Sequence, residues 1–286
     1  MSRINDTIKL LRFPFSLFLL PVSLFSIYFI RPQTSFSLFL LLGIWHILVF
    51  PSSNGYNSYN DRDEGPIGGL ASPPKPTKLL LYLSNGMDLT AVLLSFLINR
   101  QFAFFVAAYI VASRLYSNRT IRLKKFPVIG FLIVFVFQGA WIFCANLVAL
   151  SSIALLSNTS VLYAAVASSC FIGTIYPLTQ IYQHEADQKD GVRTLSMLLG
   201  MKGTFVFSAL LFLVATGFVY LSFSATHSLT NFWLFNGIML PATVYFFLWA
   251  WRSFKDSSHV NFKNTMYMLI LSALLNNFYF LILLYK

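Results

Sequence analysis

Apolar runs of about twenty residues recur along this chain with short polar loops between them, and each is long enough for a helix to cross a bilayer. Nine runs fit, at roughly 13–30, 35–53, 79–98, 102–117, 127–156, 160–182, 203–224, 229–251 and 265–285. Backbone in a hydrocarbon layer must satisfy its own hydrogen bonds, and single runs of this length do so only as helices. Composition agrees: 57% of residues are hydrophobic and only 10% are charged. The expected fold class is all-α, a polytopic membrane protein with nine transmembrane helices bundled around a central cavity. Residues 1–286 form one expected domain, with parallel half-repeats suspected at approximately 1–125 and 126–286.

Lys and Arg orient the chain. With nine spans, one side holds Arg3, Lys9, Arg12, Arg62, Lys75, Lys78, Arg114, Arg119, Arg122, Lys124, Lys125, Lys189, Arg193, Lys202, Arg252, Lys255 and Lys263. The other side holds Arg31, Arg100 and Lys286. The positive-inside rule then places the N-terminus and both acidic clusters in the cytoplasm, and the expected location is a bacterial inner membrane. Topology also accounts for the +11 net charge, because the basic residues are scattered over separate loops, so nucleic acid is not an expected partner. Cys144 and Cys170 both lie in apolar runs and suggest neither a disulfide nor a zinc framework. The first run lacks a small-residue cleavage site, so no cleavable signal peptide is expected.

Six of the nine carboxylates fall in two clusters, one after the second run and one after the sixth. The first contains Asn57, Asp61, Asp63 and Glu64; the second contains Gln183, Glu185, Asp187 and Asp190. Asn57 and Asp61 are spaced i, i+4, as are Gln183 and Asp187, so each pair shares a helix face. Hard cations such as Mg²⁺ take carboxylate and amide oxygens, and Mg²⁺ typically shares its shell with substrate phosphates. One cluster alone would read as an ordinary polar loop. Two at equivalent topological positions point to one site at a cytoplasmic mouth, with Asn57, Asp61, Asp63, Glu64, Glu185, Asp187 and Asp190 as candidate metal ligands.

The basic loop after the fourth run supplies the complement for a phosphorylated ligand. Arg122 and Lys124 are the leading candidates to stabilise a departing diphosphate. Arg12, Arg119, Lys125, Arg193 and Tyr182 are further candidates to contact substrate.

With these features the chain resembles the UbiA superfamily of intramembrane prenyltransferases. The resemblance rests on the span pattern, Asn57-x-x-x-Asp61, Asp187-x-x-x-Gly191-x-x-Thr194, the loop Tyr116 to Lys125, and the Arg12-Phe-Pro14 start of the first run. It implies an enzyme that uses two or more Mg²⁺ ions to ionise a polyprenyl diphosphate and passes the prenyl group to a hydrophobic acceptor, often aromatic or lipid-like. Two positions depart from the family pattern. Gly65 stands where the first motif has its last Asp, and Gln183 stands where the second has its first. The expectation is that Asp63 or Glu64, and Glu185, take over those roles, with Asp190 in reserve.

Asp88 sits about ten residues into the third run, roughly 15 Å deep at 1.5 Å per residue. A carboxylate there should face the bundle interior. It is a candidate to orient substrate, although a helix–helix hydrogen bond is the favoured reading, with Asn85, Gln138, Asn146 and Asn236 as potential partners. Among the aromatics, 31 of them Phe, most read as lipid-facing or core, and none is singled out. Two rivals share these features. A membrane terpene cyclase would use the same diphosphate chemistry without an acceptor, and product analysis separates the two. A secondary transporter would place its polar residues at the midplane, whereas here most acids lie at the span ends.

Overall fold

The computed structural model describes residues 2–30 and 36–286; Arg31, counted above on the opposite side, lies outside them. Apart from one antiparallel bridge between Ile67 and Leu70, the regular elements are helical. Helix α1 (Ser2–Leu11) passes through a 3₁₀ turn (Phe13–Phe18) into α2 (Leu20–Ile30) across a 45° bend. There follow α3 (Phe36–Asp61), α4 (Lys78–Ser95), α5 (Arg100–Ser117), α6 (Pro127–Leu150) and α7 (Thr159–Gln180). A short helix, α8 (His184–Lys189), precedes α9 (Leu195–Ala225), α10 (Leu229–Lys255) and α11 (Phe262–Tyr285).

Among the described residues, six helices are long and apolar enough to cross a membrane: α3, α6, α7, α9, α10 and α11. The bent pair Arg3–Phe18 and Leu20–Ile30 makes a seventh if it is one span. The expected number was nine. The expected third and fourth spans exist as the 18-residue helices α4 and α5 but fall outside that set. Polar residues explain this, Ser84, Asn85, Asp88 and Thr90 on α4, and Arg100, Gln101 and Arg114 on α5.

Aromatic side chains fill much of the interior, and Trp45, Phe25, Phe143, Phe223 and Tyr279 are all buried. Several polar groups at depth are paired. Trp45 Nε1 donates to Asn146 Oδ1 (2.9 Å), and Asn146 Nδ2 donates to Ser26 Oγ (3.0 Å), which ties α2, α3 and α6 together. Small residues let helices approach where lipid gives no hydrophobic incentive. On α7 these are Ala164, Ala165, Ala167, Ser168 and Ser169, all buried. α6 meets α7 at Gly139, inside a π-helical stretch (Val136–Trp141), where a Cβ would stand 2.3 Å from Ser169 Cα.

Candidate active site

Three inter-helix segments converge at one end of the bundle. α3 carries Asn57 and Asp61 on its last turns and stops at Arg62, whose left-handed backbone (φ 55°, ψ 40°) precedes Asp63, which lines the cavity at this end. Residues 118–126, after α5, bring in Arg122 and Lys124. The segment after α7 brings in Asp187 on α8. Left-handed backbone is uncommon outside glycine, yet Arg12, Arg62 and Arg122 all adopt it around this site.

Cross-bonds join the segments. Lys124 Nζ lies 2.5 Å from Asp61 Oδ2, and Arg122 Nη2 lies 3.7 Å from Asp61 Oδ1. Arg122 also pairs with the Asp190 carboxylate and donates to the Asp190 carbonyl at 3.1 Å. Gln183 Nε2 donates to the Pro66 carbonyl at 2.9 Å. Arg12 donates to the carbonyls of Gly68 (3.2 Å) and Asn54 (3.3 Å), and Arg119 to that of Asn60 (2.5 Å).

Several of these residues form the mouth of a cavity of about 350 Å³, within the range of small-molecule sites. Arg12, Asn57, Asp61, Asp63, Lys124, Tyr182, Gln183 and Asp187 line it. Further lining residues are Tyr109, Ser113, Tyr116, Ser117, Gln138 and Tyr176, with an apolar wall of Phe18, Phe25, Phe50, Phe137, Phe171 and Phe280. The Tyr116 and Tyr176 hydroxyls are hydrogen-bonded to one another. Sequence reading did not single out this wall. The signal was available on α5, where Tyr109, Ser113 and Ser117 recur every fourth residue and so share a face.

Other candidates lie elsewhere. Glu64, Glu185, Lys125, Arg193 and Arg119 are exposed and do not line the cavity. Arg122 and Asp190 stand just behind the mouth, paired with each other. Asp88, a candidate for orienting substrate, does not reach the cavity either. It accepts from Ser52 Oγ and from Arg114 Nε (2.8 Å), and none of the four amides considered above bonds to it.

The electrostatics favour a cation at the mouth. Burial pushes the Asp187 carboxyl up to about 7; Lys124 opposes the shift, and Asp63, Asp61 and Asp190 add to it. Asp63 is raised in the same way, by burial and then by Asp61. Asp61 Oδ1 is buried and accepts no hydrogen bond. Among the described residues no three His, Cys, Asp or Glu side chains form a metal cage. The oxygens of Asn57, Asp61, Asp63 and Asp187, spread around the cavity mouth rather than gathered into a cage, suit Mg²⁺, which takes few protein ligands and completes its shell with water and substrate phosphate.

No curated protein sequence matches the chain. Solved structures with the same fold include a UbiA homolog from Archaeoglobus fulgidus bound to DMAPP and Mg²⁺, 18% identical, with a TM-score of 0.69 over 98% of this chain and 99% of that one. The same homolog bound to GPP and Mg²⁺ superposes with a TM-score of 0.67 at 17% identity, over 98% of this chain and 100% of that one. A structure of digeranylgeranylglyceryl phosphate synthase aligns at 16% identity and a TM-score of 0.64 over 100% of both chains. The model of the UbiA prenyltransferase family matches residues 18–278, and the chain belongs to that family, as a membrane-embedded enzyme of the prenyltransferase type.

Proposed function

We propose that the protein transfers a prenyl group from a prenyl diphosphate to a hydrophobic acceptor, with Mg²⁺, at a mouth facing the cytoplasm. The observation that carries this reading is that Asp61, Asp63, Asp187 and Lys124 line the mouth of one cavity, with Lys124 paired to Asp61, while Phe side chains form part of its remaining wall. DMAPP and GPP, each with Mg²⁺, are bound by the Archaeoglobus fulgidus homolog of the same fold. The cytoplasmic orientation rests on the distribution of Lys and Arg.

Asn57, Asp61, Asp63 and Asp187 would hold Mg²⁺. Bound there, the metal neutralises the diphosphate and makes it a better leaving group. Lys124 would exchange its partner Asp61 for a diphosphate oxygen, and Arg122 would do the same with Asp190. These cations then stabilise the charge that develops when the prenyl carbon–oxygen bond breaks and the electron pair leaves with the diphosphate. The Phe wall excludes water, and its ring faces attract the positive charge left on the prenyl carbon.

Purified protein in nanodiscs, given Mg²⁺ and a series of prenyl diphosphates from DMAPP upward, should release diphosphate only when a hydrophobic hydroxyl or aromatic acceptor is added. Mass spectrometry should find the prenylated acceptor. No diphosphate release with any donor overturns the proposal. A cyclic hydrocarbon formed without acceptor replaces it with the cyclase reading.

A further inference from the structure

Helix α3 has two working faces. Phe50, Ser53, Asn54, Asn57 and Asp61 line the cavity, while Ser52 and Tyr56 point away from it. The rear face is gripped by a charge pair. Asp88 on α4 accepts from Ser52 Oγ and from both Nε (2.8 Å) and Nη2 of Arg114 on α5. The Arg114 guanidinium lies over the Tyr56 ring, 3.8 Å from its centroid, and the Tyr56 hydroxyl accepts from Asn118 Nδ2 at 3.2 Å. Asp88 and Arg114 side chains are only 13% and 18% exposed, within helices that pack side by side.

A buried ion pair in an apolar protein is weak evidence for stability, because desolvation offsets much of the attraction. Local backbone suggests another role. Just upstream of Ser52, α3 is π-helical over Ile44–Val49, and Pro51 follows. A π-stretch and a proline both loosen the hydrogen-bond ladder that fixes a helix's rotation. A slip of one residue turns a helix by about 100°, enough to carry Asn57 and Asp61 off the cavity. Contacts at Ser52 and Tyr56, one turn apart, set that rotation from behind. Ser53 to Ser113 (2.5 Å) and Asn57 to Ser117 (3.0 Å) repeat the register along the α3–α5 seam.

We infer that Asp88 and Arg114 are positioning residues: acting through Ser52 and Tyr56, they hold α3 in the rotation that presents Asn57 and Asp61 to the metal. This rests on the proposed role of Asn57 and Asp61 as ligands. Neither Asp88 nor Arg114 touches the cavity, so any effect on metal affinity must pass through the helix.

The test is direct Mn²⁺ binding by electron paramagnetic resonance, alongside thermal unfolding, on the full chain in detergent. Asp88→Leu and Arg114→Met each leave an unpaired buried charge and should lower both Tm and Mn²⁺ affinity. In the double variant no charge is stranded, so Tm should return toward wild type. Its Mn²⁺ affinity should stay roughly tenfold weak, the scale seen when the support of a ligand is removed. Tyr56→Leu keeps both charges paired and should weaken Mn²⁺ by a similar factor. Wild-type Mn²⁺ affinity in the double variant or in Tyr56→Leu overturns the inference, provided Asp61→Asn weakens binding. If Asp61→Asn itself leaves Mn²⁺ binding unchanged, the ligand assignment is overturned and this inference falls with it.

Discussion

The Gln183 side-chain amide donates to the Pro66 carbonyl, binding the two acidic segments to each other across 117 positions of sequence. Gln183 occupies a position where a metal-binding carboxylate was the family expectation, and here it serves as a strut. Asp63 and Asp187 flank the strut at the cavity mouth. The site is therefore assembled from segments that neither half of the chain supplies alone.

Asp61→Asn and Asp187→Asn should each lower turnover at least a hundredfold while the protein remains folded. Such a loss corresponds to about 2.7 kcal/mol, at 1.36 kcal/mol per tenfold in rate. Steady-state diphosphate release, compared with the wild type at saturating Mg²⁺, checks it.

Asp63 lines the cavity, whereas Glu64 and Glu185 face solvent. Asp63→Asn should raise the Mg²⁺ concentration needed for half-maximal activity, while Glu64→Gln and Glu185→Gln should leave it unchanged. Mg²⁺ titrations of the three variants decide which carboxylate fills the position that Gly65 leaves without a side chain.

The Asp187 carboxyl, raised to about 7 by burial, must lose its proton before it can bind a metal. The Mg²⁺ requirement should therefore climb as pH falls from 8 to 6, and Asp187→Asn should flatten that dependence. Stability has the opposite sign. Between the unfolded value near 3.8 and about 7, the native carboxyl keeps a proton that the unfolded one has lost. Raising pH through that window thus costs the metal-free protein stability. Thermal unfolding of metal-free wild type and Asp187→Asn across pH 4–8 measures this contribution, and added Mg²⁺ should restore the lost Tm.

Gly139→Ala should destabilise the fold by more than about 1–3 kcal/mol, the usual cost of overpacking, because the new Cβ meets backbone rather than a movable side chain. Size-exclusion yield and Tm in detergent read this out. Gly43→Ala, where a Cβ meets nothing within 4 Å, is the matched control.

Cysteines introduced at Glu64 and Glu185 should react with an impermeant maleimide only from the cytoplasmic side, and one at Thr226 only from the other. All three positions are exposed. Labelling of the first two from outside the cell would reverse the orientation inferred from Lys and Arg.

Helix class and the family were legible in the sequence because each depends on local pattern, whereas the count of nine spans and several of their ends were not. Apolar runs announce themselves, and Asn57-x-x-x-Asp61 survives as one face of α3. The departures arise where burial decides. Asp63 and Glu64 are adjacent and chemically alike, yet after the left-handed turn at Arg62 the first lines the cavity and the second is exposed. Glu185 is suitable by its charge, yet two residues, about 200° around α8, leave it on the solvent side while Asp187 faces the cavity. Asp88 was recognised as an intramembrane acid, but its partner Arg114 is hidden among residues that topology alone would explain.

The pairing of Lys124 and Arg122 with Asp61 means the mouth already contains its own counter-ions before any ligand arrives. Under the proposed function, a lone Mg²⁺ must displace Lys124 from Asp61, and a lone diphosphate must compete with Asp61 for Lys124 and with Asp190 for Arg122. When both arrive together, each takes the partner that the other has released. Binding of metal and diphosphate should therefore be positively coupled, with each ligand raising the affinity for the other by the same factor. The ion pairs thus act as a latch that opens readily only to the combination.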